Sequence, residues 1–130
     1  MNETRKVLVD TNIWIDFLRG PLPELRMLVK QRRVITHPCV IGEVMVGSVA
    51  RRKVIEEFLL SLPLAVEAEF REVLAMIERR SLAGRGLQWN DLLLLAAAEC
   101  ADRVERIGRV DVHLLGGGHG RGQLPGALRG

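Results

Sequence analysis

The chain has 130 residues, 48% of them hydrophobic, enough for one domain with a sizeable buried core and too many for global disorder. Its 19 Lys and Arg stand against 16 Asp and Glu, a net charge of +3 that by itself is a weak signal for nucleic acid. The longest apolar run, Leu92 to Ala98, falls far short of the ~20 residues of a membrane span, and Asp10 comes too early for a signal-peptide core, so a cytoplasmic chain with no membrane partner is expected.

In chain order, Val7-Leu8-Val9 is a short apolar run ending at Asp10, the pattern of a buried parallel strand. From Thr11 the spacing turns helical, with Ile13, Trp14, Phe17 and Leu18 on one stripe, and Gly20-Pro21 stops it. Leu22 to Lys30 is a second short helix. Arg33 to Thr36 reads as a strand closed by Pro38, and Val40 to Ala50 as a helix with Val40, Ile41, Val44 and Met45 on one face. Lys53 to Leu62 repeats that pattern with Val54, Ile55, Phe58 and Leu59. A third strand is expected over Leu64-Ala65-Val66. Glu69 to Ser81 is helical and ends before Gly84-Arg85-Gly86. Leu92 to Glu99, apolar all round, reads as a buried helix, and Val104 to Val110 as a strand carrying charge.

Strands alternating with helices indicate an α/β class with a short, mainly parallel sheet flanked by helices. The expected domain covers residues 1–115, followed by a glycine-rich, flexible tail over 116–130. Cys39 and Cys100 are too few for a disulfide framework and read as small core hydrophobes. Trp14 and Trp89 read as core or rim packing.

Ligands of parallel α/β sheets collect at the carboxyl ends of the strands. Asp10 ends the first strand and Asp111 the last expected one, Asp91 opens the buried helix, and Glu43 lies at the margin of an apolar helix stripe where Gly47, one turn on, leaves it room. Each acid has an ordinary reading: Asp10 and Asp91 as helix N-caps, Glu43 as a solvated helix residue, Asp111 as a loop acid. Together they mean more. Carboxylates ~5 Å apart repel by roughly 3 kcal/mol per pair at an effective dielectric of ~20, so a cluster of them calls for a cation or shifted pKa values. Oxygen ligands favour Mg²⁺ or Mn²⁺ over zinc, and such an ion suits phosphodiester hydrolysis. Withdrawing acids onto an ion would also leave a more basic, arginine-rich surface suited to phosphate.

Three blocks then carry a family resemblance. Val7-Leu8-Val9-Asp10-Thr11-Asn12-Ile13-Trp14-Ile15-Asp16-Phe17-Leu18-Arg19-Gly20 resembles the opening of PIN-domain ribonucleases, specifically the VapC-like toxins of bacterial toxin–antitoxin pairs. His37-Pro38-Cys39-Val40-Ile41-Gly42-Glu43-Val44-Met45-Val46-Gly47 resembles the helix that carries their second acid. Leu82-Ala83-Gly84-Arg85-Gly86-Leu87-Gln88-Trp89-Asn90-Asp91 resembles the approach to their third. The resemblance implies a PIN-like three-layer α/β/α fold and a metal-dependent endoribonuclease. It makes Asp10, Glu43 and Asp91 metal ligands and catalytic acids, with Thr11 and Asn12 as supporting polar residues. Asp111 follows Asp91 at family-like spacing and is taken as the fourth acid, although Arg109 stands where the family usually has Thr or Ser. Arg85 is a candidate RNA contact.

The resemblance also implies a structured RNA substrate such as tRNA or rRNA, a small cognate antitoxin, and homodimers. Two alternatives remain at this point. One is a non-catalytic RNA- or protein-binding module on the same fold. The other is an α/β phosphatase using Asp10 as nucleophile, against which Asn12 stands where a second Asp is expected.

Overall fold

The computed structural model describes residues 5–101 and 104–108. Asp111, Arg109, His113, His119, the end of the last expected strand and the glycine-rich tail all lie outside the described residues. Among those described, three strands and six helices alternate, giving a three-layer α/β/α arrangement.

The sheet is parallel and ordered β2-β1-β3, so β1 (Lys6–Val9) is central, between β2 (Val34–Ile35) and β3 (Val104–Ile107). Central position explains why Val7, Leu8 and Val9 are all apolar: both faces of the strand are covered, and none exceeds 2% exposure. Leu8 is in register with Ile35 on one side and Arg106 on the other. This puts a charged residue opposite a fully buried leucine.

Helix α1 (Thr11–Arg19) follows β1 directly and packs on α3 (Pro38–Val46). Its Trp14 is buried, with edge-on contacts to Phe17 and to Phe58 of α4 (Arg52–Ser61), each at a centroid distance of 5.8 Å. Helix α2 (Pro23–Lys30) adds Leu25 to the same core. A second apolar cluster joins α5 (Phe70–Arg79) to α6 (Trp89–Cys100) through Val73, Met76, Leu82, Leu92 and Ala96, and α6 in turn packs on β3.

Three expectations need correction. Leu64-Ala65-Val66 is not a strand but a single parallel bridge between Thr36 and Leu64, made by Thr36 N–H to Pro63 O (2.9 Å) and Ala65 N–H to Thr36 O (2.7 Å). Only Ala65 turns inward while Leu64 and Val66 are exposed, so there is no buried face to extend. Helix α3 stops at Val46, not Ala50, with Gly47 in extended conformation as its C-cap. The Arg52 guanidinium donates to the carbonyls of Met45 and Gly47 and so satisfies the helix end. Cys100 is exposed at the end of α6 rather than buried in the core.

At the other end of α3, His37 is the N-cap, with Pro38 at the first helical position. Its Nδ1 accepts a hydrogen bond from the Cys39 N–H at 3.1 Å, and the ring is 2% exposed. Burial holds the imidazole below the ordinary histidine range, with Glu67 opposing more weakly. Only the neutral ring can accept that bond. A histidine whose folded pKa is depressed contributes stability that is complete above its unfolded pKa and is lost as pH falls from that value through the folded one. We therefore expect unfolding free energy, measured by urea denaturation, to drop on going from pH 7.5 to below about 6.5. His37→Asn, which keeps a capping acceptor, should flatten that drop; an unchanged slope in the variant would remove His37 as its cause.

Candidate active site

Asp10 is placed by the backbone before its side chain does anything. Its N–H donates to Ile107 O at 2.8 Å, continuing the β1–β3 ladder, while its carbonyl accepts from the N–H groups of Ile13 and Trp14, starting α1. It is the N-cap of that helix, its Oδ1 accepting from the Thr11 N–H at 2.7 Å. Strand end and helix start thus meet on one residue, which is 4% exposed. A carboxylate this deep is costly unless compensated.

Compensation comes from a residue that sequence reasoning missed. Arg106 of β3, also buried at 6% exposure, brings its Nη1 to 3.2 Å from Asp10 Oδ2. The register accounts for this: Arg106 pairs with Leu8, and Asp10, which directly follows β1 in extended conformation, lies two residues past Leu8 on the same side. Gly108 completes the contact. A Cβ there would stand 2.5 Å from Asp10 Oδ2 and 2.9 Å from Arg106 Nη1, so glycine is required by close approach rather than by backbone angle. The signal available in the sequence was the arginine itself, since a base within a strand of a buried parallel sheet needs an acid beside it.

Glu43 is exposed on α3, one helix away, yet tied to the same point: Thr11 Oγ1 donates to Glu43 Oε1 at 2.7 Å. Thr11 therefore holds two acids at once, Asp10 through its N–H and Glu43 through its hydroxyl. Asn12 is exposed in the same turn. Asp91 does not open α6; it is the third residue of its first turn, half-buried, and its Oδ2 accepts from the Gln88 N–H at 3.2 Å in a capping box. Gly47 caps α3 and meets only the Val44 carbonyl, so making room for Glu43 is not its role.

The three acids share one electrostatic field. Burial pushes the Asp10 carboxyl above the usual range; Arg106 and the Thr11 N–H oppose this, and Asp91 and Glu43 add to the rise. Arg106 in turn feels both Asp10 and Asp91. Nearby Cys39 is driven up to about 12, by burial first and then by Glu43, Asp10 and Glu67, which leaves it an inert thiol. The donor set fits a hard divalent ion in kind, being oxygen throughout. As the side chains stand, no three acidic, His or Cys side chains among the described residues close tightly enough to hold one. Asp10 Oδ2 is paired with Arg106.

Arg85 is exposed in the loop before α6, between Gly84 and Gly86, whose φ angles of 78° and 77° are left-handed and favour glycine. Trp89 forms the rim, 42% exposed, tilted against Phe70 at a centroid distance of 5.8 Å. Among the described residues no helix is long and apolar enough to cross a membrane.

Comparison with known proteins identifies the family. The PIN domain profile matches residues 7–103, which contain Asp10, Glu43 and Asp91. Ribonuclease VapC32 of Mycobacterium tuberculosis, in two strains (Oshkosh and H37Rv), is 37% identical over 91 residues, covering 70% of this chain and 73% of that protein. The chain belongs to the PIN-domain family, in its VapC-like branch.

Proposed function

We propose that the protein is an endoribonuclease that hydrolyses RNA phosphodiesters with the help of a divalent ion, Mg²⁺ or Mn²⁺, and that it acts as the toxin of a toxin–antitoxin pair. The observation that carries this reading is the buried Asp10 carboxylate with Glu43 and Asp91 in its field. The name of its relative, a ribonuclease of the VapC series, supports the choice of RNA. Structured RNA such as tRNA or rRNA is the proposed substrate, and a small antitoxin and a second copy of the chain are the proposed partners. Arg85, on an exposed loop that leads into α6, is the proposed phosphate contact.

In this reading Asp10, Glu43 and Asp91 hold the ion and Asp111 completes the set. When bound, the ion neutralises charge on the phosphodiester and activates water. The chain supplies everything else. Burial makes the Asp10 charge costly on its own, so a cation beside it would restore the charged form and be strongly attracted to it. Thr11 fixes the spacing between strand β1 and helix α3 by holding Asp10 and Glu43 from one residue. The capping box of α6 fixes Asp91 in the first turn. With Cys39 an inert thiol, the route proposed is direct attack by water, with no covalent enzyme intermediate.

Cleavage of a labelled RNA by the purified full chain tests the proposal. Activity should require Mn²⁺ or Mg²⁺, vanish with EDTA, and fall at least about a hundredfold in Asp10→Asn and in Asp91→Asn. Equal cleavage by wild type and variants would mean a contaminant, leaving a non-catalytic binding module on the PIN fold.

Thr11 is a positioning residue and has its own test. Thr11→Val should raise the Mn²⁺ concentration for half-maximal cleavage by roughly tenfold, while Thr11→Ser, which keeps the hydroxyl, should restore it. An identical Mn²⁺ dependence in Thr11→Val and wild type would mean that the Thr11 hydroxyl bond to Glu43 does not position the ion site.

A further inference from the structure

Arg106 is the one Lys or Arg buried among the described residues, and it sits where an aliphatic side chain would serve the core better. Its register partner Leu8 is fully buried, and the opposite neighbour of Leu8 is Ile35. A guanidinium in that slot gives up its hydration, and one partner returning that cost is Asp10. The 3.2 Å contact is longer than the ~2.7–2.9 Å of a tight charge-assisted bond. It is an ion pair through a single guanidinium nitrogen on one carboxylate oxygen.

The contact also falls on a particular atom. Asp10 Oδ1 is committed to the Thr11 N–H, at the start of α1. Oδ2 is the oxygen that faces Arg106 and the backbone of Gly108. A cation approaching Asp10 meets a positive charge already on its oxygen. Because Arg106 lies in the field of Asp91 as well, it weakens the pull of two carboxylates together. Gly108 keeps the guanidinium there, since a side chain at that position would overlap both partners.

We propose that Arg106 is a resident counter-ion of Asp10 that competes with the divalent ion, so that an ion enters this site by displacing the guanidinium from Oδ2. The ion-free chain is then a neutralised, self-inhibited state, and Arg106 sets the ion concentration at which the site becomes competent. This rests on the divalent-ion reading above and adds a threshold to it.

The test is Mn²⁺ binding to the full chain by titration calorimetry, which needs no RNA and no activity. Arg106→Met, which keeps the length and removes the charge, should bind Mn²⁺ roughly tenfold more tightly than wild type. Asp10→Asn should abolish binding in both backgrounds. Equal or weaker binding by Arg106→Met overturns the proposal while leaving the divalent-ion reading intact. No binding by either protein overturns both. Should Arg106→Met fail to fold, nuclear magnetic resonance of the wild-type arginine guanidinium groups during a Mg²⁺ titration decides the matter. The Arg106 resonance should shift with the same half-saturation as ion binding, and a resonance that stays in place while the ion binds overturns the proposal.

Discussion

A carboxylate buried at the end of the central strand is the constraint on which the rest of this structure depends. Asp10 belongs to the β1–β3 ladder through its N–H, to α1 through its carbonyl and Oδ1, and to Arg106 through Oδ2. Removing such a charge from water costs several kcal/mol if nothing compensates it. The neighbouring elements are arranged accordingly. Arg106 approaches from β3, Gly108 lacks a side chain so that the approach is possible, and the first N–H of α1 points at the carboxylate. The residual cost remains visible in the Asp10 carboxyl, which titrates above the usual range despite these partners.

The same constraint links the layers of the fold to the site. Thr11 connects α1 to α3 by its hydroxyl bond to Glu43 while its N–H holds Asp10, so one residue touches two of the acids. Helix α3 is itself held at both ends, by the neutral ring of His37 at its start and by Arg52 on its last carbonyls. Helix α6 presents Asp91 from a first turn closed by its own capping box, and the α5–α6 apolar cluster holds that helix in place. Rigid elements rather than loops thus deliver all three acids. As the side chains stand, these acids do not close tightly enough among the described residues to hold an ion by themselves.

Much of this was legible in the chain because its local signals agree with one another. The apolar triplet before Asp10, the helical stripe of Ile13, Trp14 and Phe17, and the all-apolar run after Asp91 each have one sensible reading, and the sheet follows from their order. Short elements were harder. Leu64-Ala65-Val66 has strand composition, but its exposure pattern depends on how little of β2 exists to pair with it. The end of α3 falls at Gly47, its C-cap, where Arg52 from the start of α4 meets the free carbonyls, so apolar spacing beyond that glycine misled the reading. Asp10, Glu43 and Asp91 could be named as candidates, yet the bond that joins two of them needs the α1–α3 packing. Arg106 was hidden for the same reason: its role comes from register with Leu8, a contact across nearly the whole chain.

Diffraction from crystals of the full chain grown with Mn²⁺, recorded at the manganese absorption edge, addresses the central claim directly. The account predicts one anomalous peak within bonding distance of the Asp10, Glu43 and Asp91 carboxylates, with the Arg106 guanidinium withdrawn from Oδ2. A peak remote from Asp10, or Arg106 still seated on Oδ2 beside carboxylates that bind nothing at saturating Mn²⁺, would contradict it.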